Sequence, residues 1–281
     1  MKRRILSALM ALAMVAGLMT GCSAPAAGGD NAGSEGASQA ELAPVSKDEI
    51  KVGFVYISDS SDMGYTYNHE LGTKEMQEKL GLRDDQIISK YNVPEGAECD
   101  TALRELVEAG CNVIFATSFG YEDYVKEVAA EYPNIQFCHA TGYQAASSGL
   151  PNFHNYFASI YEARYLAGIA AGLKTETNKL GYVAAYPFAE VISGYTAFYL
   201  GAKSVNPDVT MEIMYTNSWN DPTVESQAAT ALIDRGCDVV SQHSDSTAPA
   251  TTAEDNGVWQ VGYNNDMIEA APKASLISTQ I

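Results

Sequence analysis

The chain has 281 residues, of which 46% are hydrophobic, so it is long enough to bury one or two cores. Its formal net charge is −18 at pH 7, with 35 acidic residues against 17 basic ones. So acidic a protein argues against binding to nucleic acid and against electrostatic attachment to anionic lipid.

The first residues have the pattern of a secretory signal. Three basic residues at positions 2–4 precede an apolar stretch over residues 5–19, which is short for a membrane-spanning helix. Cys22 follows Gly21, and a Cys directly after a small residue resembles a bacterial lipoprotein box, although Met19 stands where Leu is usual. We therefore expect a signal peptide over residues 1–21 and lipid on the Cys22 thiol. An ordinary signal peptide that happens to contain a Cys is the alternative.

Residues 22–49 are rich in Ala, Gly and Ser and contain almost no large apolar side chain. Such a composition cannot bury a core and predicts a flexible tether. An anchored Cys22, a tether and a folded body together predict a protein held at the extracytoplasmic face of the cell membrane.

Strands and helices alternate in the pattern over residues 50–156, which predicts an N-terminal α/β lobe. Strands are expected at residues 52–57, 86–91, 111–117 and 135–140, and helices at residues 68–80, 99–109 and 122–132. This order is typical of a doubly wound sheet, in which ligands bind beyond the carboxyl ends of the strands. The loops after Ile57, Thr117 and Ala140 are therefore candidates for the ligand site.

A long helix is expected at residues 157–173, within an interlobe and hinge region over residues 157–178, where Gly168 and Gly172 allow close packing. The alternation then restarts over residues 179–281 and predicts a C-terminal lobe. Its candidate ligand loops follow its predicted strands, at residues 185, 216, 242 and 262.

Four cysteines lie beyond Cys22, and we expect them to be core thiols rather than disulfides. They are Cys99, Cys111, Cys138 and Cys237. No spacing of Cys and His suggests a metal site, and no cofactor is predicted.

The two halves also repeat each other in sequence. KVGFVYI begins at Lys51 and KLGYVAA at Lys179, while GYTYNHELG begins at Gly64 and GYTAFYLG at Gly194. A third pair, TALRELVEAGC and TALIDRGC, follows in the same order, and all three offsets lie between 126 and 130 residues. This period is the size of a small domain and predicts two Rossmann-like lobes with a ligand cleft between them.

Several motifs in a fixed order carry a specific resemblance. They are GYTYNHELG, TSFGY, HATGY, YEARYLAGIAAG, YPFAE, NSWNDP, QHSDS and VGYNNDM. From about residue 51 to its end the chain resembles the basic membrane protein family of substrate-binding lipoproteins, similar to purine nucleoside receptor lipoproteins. The resemblance implies a type I periplasmic-binding-protein fold, a purine nucleoside or nucleobase as ligand, and the permease and ATPase of an ABC importer as partners. We expect a monomer.

The resemblance implies aromatic ligand contacts. Tyr65 matches a family position that stacks on the purine, and stacking suits any flat heteroaromatic ring; a rim tyrosine is the alternative. In TSFGY, at least one of Phe119 and Tyr121 is expected to line the cleft, with both doing so left open, and Gly120 permits close backbone approach. Trp219 could face the ligand from the second lobe, although a core or hinge tryptophan remains open.

Polar candidates lie at the strand ends of both lobes. Asp62 is in the loop after the first strand, and His243 and Asp245 are in QHSDS, where they could hydrogen-bond a ligand edge or hydroxyl. Helix capping is the alternative for Asp245. At Asn264 the nucleoside receptors usually carry an Asp that holds the ribose, so the Asn leaves room for a free base.

Two other functions are alternatives to solute binding for import. Glu162, Glu190, His243 and Asp245 could supply acid and base groups to a nucleoside hydrolase, but no nucleophile motif, phosphate loop or metal cluster supports one. A binding protein rather than an enzyme is therefore expected. A receptor that reports ligand occupancy to a signalling partner uses the same closing cleft and stays open.

The second lobe looks unfinished after its strand at residues 276–281. Members of the family continue further, so the resemblance implies a truncated C-terminus, with the last strand returning toward the hinge. Some ligand residues and the cover of an apolar sheet face would then be missing, and poor folding in isolation is expected.

Overall fold

The computed structural model describes residues 44–280. The expected signal peptide, the Cys22 lipidation site and most of the tether lie outside the described residues. Across residues 44–280, no helix combines the length and the apolar character needed to cross a bilayer.

The first lobe is built on a parallel five-stranded sheet with the strand order β2-β1-β3-β4-β5. Apolar side chains on both faces of the central strands explain why these short segments form buried strands. In chain order the elements are β1 (Val52–Val55), α1 (Tyr65–Leu80), β2 (Ile87–Lys90), α2 (Ala97–Glu108), β3 (Val113–Ala116), α3 (Glu122–Glu131), β4 (Gln136–Ala140), α4 (Ala145–Ser148) and β5 (Phe153–Tyr156).

The second lobe has a second parallel five-stranded sheet, in the order β7-β6-β8-β9-β10. Its elements are α5 (Ile160–Lys174), β6 (Lys179–Ala184), α6 (Ala189–Val205), β7 (Thr210–Tyr215), α7 (Pro222–Asp234), β8 (Val239–His243), α8 (Ala248–Asn256), β9 (Trp259–Asn264) and β10 (Ser275–Gln280). Because each strand has its counterpart at the same place in the other sheet, the predicted repeat of two α/β lobes is confirmed.

The predicted strands and long helices are all present, with ends that differ by a few residues, but β5, α4 and α8 were missed. The first helix begins at Tyr65, three residues earlier than predicted. The cause is Asp62, whose carboxylate accepts hydrogen bonds from the backbone N–H groups of Gly64, Thr66 and Tyr67 at 2.8–3.1 Å. These are donors that the first turn of a helix leaves without partners, so the cap extends the helix toward the loop.

Helices α5 and α6 pack very closely because glycines lie in their interface. A Cβ atom added to Gly168 or Gly172 would collide with the α6 backbone at Phe198 or Ala202, and one added to Gly201 would collide with α5. The predicted role of Gly168 and Gly172 in close packing is therefore confirmed.

Arg164 of α5 fixes the second sheet to this helix pair. Its side chain is fully buried, and its guanidinium donates to the Gly262 carbonyl at 3.0 Å, to the Thr279 hydroxyl at 2.9 Å and to the Ser241 hydroxyl. The charge lies within 5.3–5.5 Å of three aromatic ring centroids, those of residues 182, 198 and 263, which favour a cation over their faces. One side chain thus connects α5 to β8, β9 and β10.

The four cysteines of the described region are free thiols. Cys99, Cys111 and Cys237 are buried, and Cys138 is half-buried. Burial raises the pKa of each thiol above its usual value, so all four remain protonated core groups at neutral pH.

Candidate functional site

The carboxyl ends of the two sheets meet at a shared cavity, which we call the interlobe cavity. It lies at the switch points of the strand order, where the loops after β1 and β3 face those after β6 and β8. Ligands of open α/β sheets bind at such points. The side chains that line the interlobe cavity come from both lobes: Ile57, Tyr65, Ser118, Phe119, Thr141, Phe157, Glu190, Trp219, His243, Asp245 and Tyr263.

Polar contacts join the two lobes around the interlobe cavity. Trp219 Nε1 donates to Glu95 Oε1 at 3.2 Å, and Asn220 Nδ2 donates to Ser58 Oγ, also at 3.2 Å. Gly64 lies so close to the backbone of Asp245 that any side chain there would collide with it. The lobes are therefore in contact, as in a binding protein whose cleft is closed.

Glu95 holds the first-lobe side of this contact. Its Oε1 atom also accepts hydrogen bonds from the Ser118 hydroxyl and from the Gly120 N–H. A Cβ atom on Gly120 would come within 2.6 Å of the Glu95 side chain, so the glycine is what allows the carboxylate to reach the loop after β3.

One wall of the site is aromatic. The rings of Phe119 and Phe188 stack across the cleft with centroids 4.4 Å apart and planes 20° apart. Tyr186 extends the cluster, since its ring centroid lies 5.1 Å from that of Phe188. The Trp219 centroid lies 5.2 Å from that of Tyr186. Tyr65 lies elsewhere in the lining, packed on His69 at 4.3 Å. Of this aromatic cluster, Phe119 from the first lobe and Trp219 from the second line the interlobe cavity.

Several polar side chains of the lining have buried atoms whose hydrogen-bonding capacity is not used. Within residues 44–280, several buried side-chain atoms have no hydrogen-bond partner, and five of them belong to residues that line the interlobe cavity. These five are Tyr65 OH, Thr141 Oγ1, Glu190 Oε2, His243 Nδ1 and Tyr263 OH. A buried polar group without a partner costs about 1–3 kcal/mol, so such a concentration indicates groups reserved for a ligand.

Burial determines the charge state of the lining. It lowers the pKa of His243 from 6.5 to about 3, with help from the positive charge of Arg164. It raises the pKa of Asp245 well above its ordinary value, an effect that Asp62 and Glu225 reinforce and an N–H group of Asn264 opposes. At neutral pH His243 is therefore uncharged and offers the cavity hydrogen bonds rather than ionic attraction.

Five of the nine ligand residues predicted from the sequence line the interlobe cavity: Tyr65, Phe119, Trp219, His243 and Asp245. The structure brings these five together from separate loops of the two lobes. Tyr65 is the first residue of α1, three residues before the predicted start of that helix.

The other four predicted residues do not line it. Asp62 caps α1, and the Gly120 N–H is taken by Glu95. Tyr121 is fully buried in the first-lobe core, where its hydroxyl donates to the carbonyl of residue 93. Asn264 lies behind Asp245 and donates to its Oδ1 atom at 3.2 Å. Asp62, Gly120 and Asn264 therefore each stabilise a lining residue or the loop that carries it.

Sequence reasoning missed several lining residues, including Thr141 and Tyr263. Both lie directly after the predicted strand ends at residues 140 and 262, so their position in the candidate ligand loops identifies them. From the sequence, Glu190 is a candidate only for general acid or base chemistry. It is the second residue of α6 and therefore lies at the strand-end side of that helix.

Comparison with known proteins identifies the family to which the chain belongs. Residues 49–280 match the family described as ABC transporter substrate-binding protein, PnrA-like (Bmp). The chain belongs to this family. The resemblance drawn from the motifs is thereby confirmed.

Two relatives are similar over most of the chain. A purine-binding protein of Brucella abortus is 40% identical over 269 residues, which cover 95% of this chain and 69% of the relative. A protein of Haloferax volcanii named for glucose binding in an ABC transporter is 39% identical over 236 residues. The second alignment covers 84% of this chain and 58% of the relative.

Solved structures with low sequence identity share the fold. An ABC transporter solute-binding protein of Aeropyrum pernix superposes with a TM-score of 0.70 at 20% identity, covering 82% of this chain and 66% of that one. A solute-binding protein of Conexibacter woesei gives a TM-score of 0.60 at 20% identity, with 76% and 70% covered. The type I periplasmic-binding-protein fold predicted from the sequence is confirmed.

Proposed function

We propose that this protein binds a purine nucleobase or nucleoside in the interlobe cavity and delivers it to the permease of an ABC importer. The observation that carries the proposal is the concentration of unpaired buried polar atoms in one cavity that also has aromatic walls. A purine needs both, because its faces are flat and apolar while its edges carry nitrogen donors and acceptors.

A relative supports a purine as the ligand, because the protein from Brucella abortus is named for purine binding. Between base and nucleoside, Asn264 favours a free base, because the nucleoside receptors usually carry an Asp at that position.

A sugar is the second candidate ligand, because the relative from Haloferax volcanii is named for glucose. Aromatic faces also pack against sugar rings, so the walls alone do not separate the two classes. A thermal-shift panel does. Adenine, adenosine, guanosine and inosine should raise the melting temperature, since a ligand that binds only the folded state stabilises it. A shift with glucose and none with any purine would replace the purine by a sugar.

Lobe closure is the proposed mechanism. The ligand meets the polar groups and aromatic faces of both lobes only when they come together, so it stabilises the closed state by its differential affinity for that state. Hydrogen bonds such as Trp219 to Glu95 add to closure. The closed form then docks on the permease, and the ligand leaves chemically unchanged. We further propose that lipid on Cys22 holds the protein, as a monomer, at the extracytoplasmic face of the membrane.

A further inference from the structure

Glu190 is the acidic side chain that the interlobe cavity leaves least satisfied. It is the second residue of α6 and enters the cavity from the second lobe. Its Oε2 atom is buried and has no hydrogen-bond partner among the described residues. A carboxyl group of the same lobe shows the contrast, because Glu225 Oε2 accepts hydrogen bonds from the hydroxyls of Ser244 and Ser246 at 2.8 and 2.7 Å.

We propose that Glu190 determines which ligand edge the cavity accepts, by hydrogen-bonding a ring nitrogen and an adjacent N–H group of the bound heterocycle. This inference rests on the proposed function, since it specifies how the cavity would recognise a purine. Glu190 is thereby a specificity-determining residue of the binding site.

Its surroundings keep the carboxyl group uncharged. Burial, together with the negative charge of Glu95, raises the pKa of Glu190 to about 8, against the opposing effect of the Thr141 hydroxyl. The other titratable groups whose pKa values respond to Glu190 are Tyr65, Asp245 and Tyr263, all of them acids. The N-terminus of α6 favours the ionised form, but burial outweighs it.

A neutral carboxyl group has a defined hydrogen-bonding pattern, one O–H donor beside one C=O acceptor. The complementary pattern is an acceptor nitrogen next to an N–H group, which the amidine edge of an aminopurine such as adenine provides. The protonated side chain therefore matches the edge of an aminopurine, and the match is lost when the carboxyl group ionises, because a carboxylate can only accept hydrogen bonds.

The test is calorimetric titration of the protein with adenine between about pH 6 and pH 9, on the unaltered chain and on three variants. Glu190→Gln keeps a donor beside an acceptor at every pH, and Glu190→Ala removes both. Glu162→Gln makes the same charge change at an exposed position of α5 and serves as the matched control. Folding of each variant is checked by its thermal unfolding transition.

We expect the affinity of the unaltered protein and of Glu162→Gln to fall by at least about tenfold between pH 6 and pH 9, as Glu190 ionises. Glu190→Gln should bind with an affinity that stays level across this range, and Glu190→Ala should bind about tenfold more weakly at pH 6. Equal affinities and identical pH profiles for all four proteins would overturn the role of Glu190 and leave purine binding intact. Failure of the unaltered protein to bind any purine would overturn the proposed function itself, and this inference with it.

Discussion

The indole N–H of Trp219 in the second lobe donates a hydrogen bond of 3.2 Å to the carboxylate of Glu95 in the first lobe. The same carboxylate oxygen accepts the N–H of Gly120, next to Phe119 of the aromatic wall. Because the Trp219 side chain also lines the interlobe cavity, this contact joins the candidate ligand site to the junction between the lobes.

Trp219→Phe should weaken ligand binding about three- to tenfold, because it keeps an aromatic face but removes the N–H that bonds to Glu95. Titration calorimetry with the best purine ligand measures the change. Trp259→Phe is the control, since Trp259 lies in β9 beside Lys174 and does not line the cavity. Equal weakening in both variants would show that the Glu95 contact contributes nothing to closure.

Tyr65→Ala should weaken purine binding by about 1–3 kcal/mol if the ring stacks on the ligand. Tyr65→Phe separates the ring from the hydroxyl, which is buried without a partner. That variant should raise the stability of the unliganded protein by about 1 kcal/mol, because it removes an unsatisfied polar group. Tyr143→Ala, at a side chain that is 71% exposed, is the control and should change neither property. Unchanged affinity in Tyr65→Ala would remove this residue from the site.

Most of the fold could be predicted from the sequence because buried parallel strands and the helices between them leave strong local patterns. The repeat from Lys51 to Lys179 predicts two similar lobes, and the two sheets do have equivalent strand orders. The strand β5 was missed because Phe153 is its one buried side chain and its other residues are polar or exposed. The start of α1 differs from the prediction because the cap from Asp62 is a local contact between a side chain and the backbone, which apolar periodicity does not show.

Arg164→Lys should destabilise the protein by about 2–4 kcal/mol. A lysine cannot reproduce the planar set of donors, so it leaves some of the oxygens of Gly262, Thr279 and Ser241 without partners in the core. Denaturant unfolding monitored by circular dichroism gives the value. The matched variant Arg104→Lys changes a solvent-accessible ion pair with Asp100 and Glu131 and should have a much smaller effect. Similar losses in both variants would contradict a structural role for the buried guanidinium.

His243 should make the protein sensitive to acid. Its pKa in the folded state, about 3, lies below the ordinary 6.5 that it regains on unfolding, so the unfolded state binds the proton first. The stabilisation that follows is complete above about pH 6.5 and is lost as the pH falls toward 3. By about pH 5 the loss attributable to this residue should be of the order of 1–2 kcal/mol.

The comparison uses His243→Gln, which cannot take up a proton. The free energy of unfolding of each protein is measured at pH 7 and at pH 5, and the two decreases are compared, so that the lost packing of the ring on Tyr263 cancels. The decrease should be smaller in the variant. Equal decreases would mean that His243 is protonated in the folded protein.

The site was harder to predict than the fold, and the reasons are physical. Phe119 and Tyr121 are two residues apart in one 3₁₀ turn. The side chain of Tyr121 is buried in the core, whereas that of Phe119 lines the cavity. Asp62 and Asn264 have side chains that could hydrogen-bond a ligand. Instead, Asp62 accepts hydrogen bonds from the start of α1, and Asn264 donates to Asp245. Sequence identifies which loops meet at the switch points, whereas the direction of each side chain depends on packing that only the structure provides.

Calorimetric titration of the unaltered protein with adenine and, separately, with glucose at pH 7 tests the central claim most directly. Purine binding in the interlobe cavity predicts saturable heat with adenine at one site per chain and none with glucose. Saturation by glucose, with no heat from adenine, adenosine, guanosine or inosine, would contradict it.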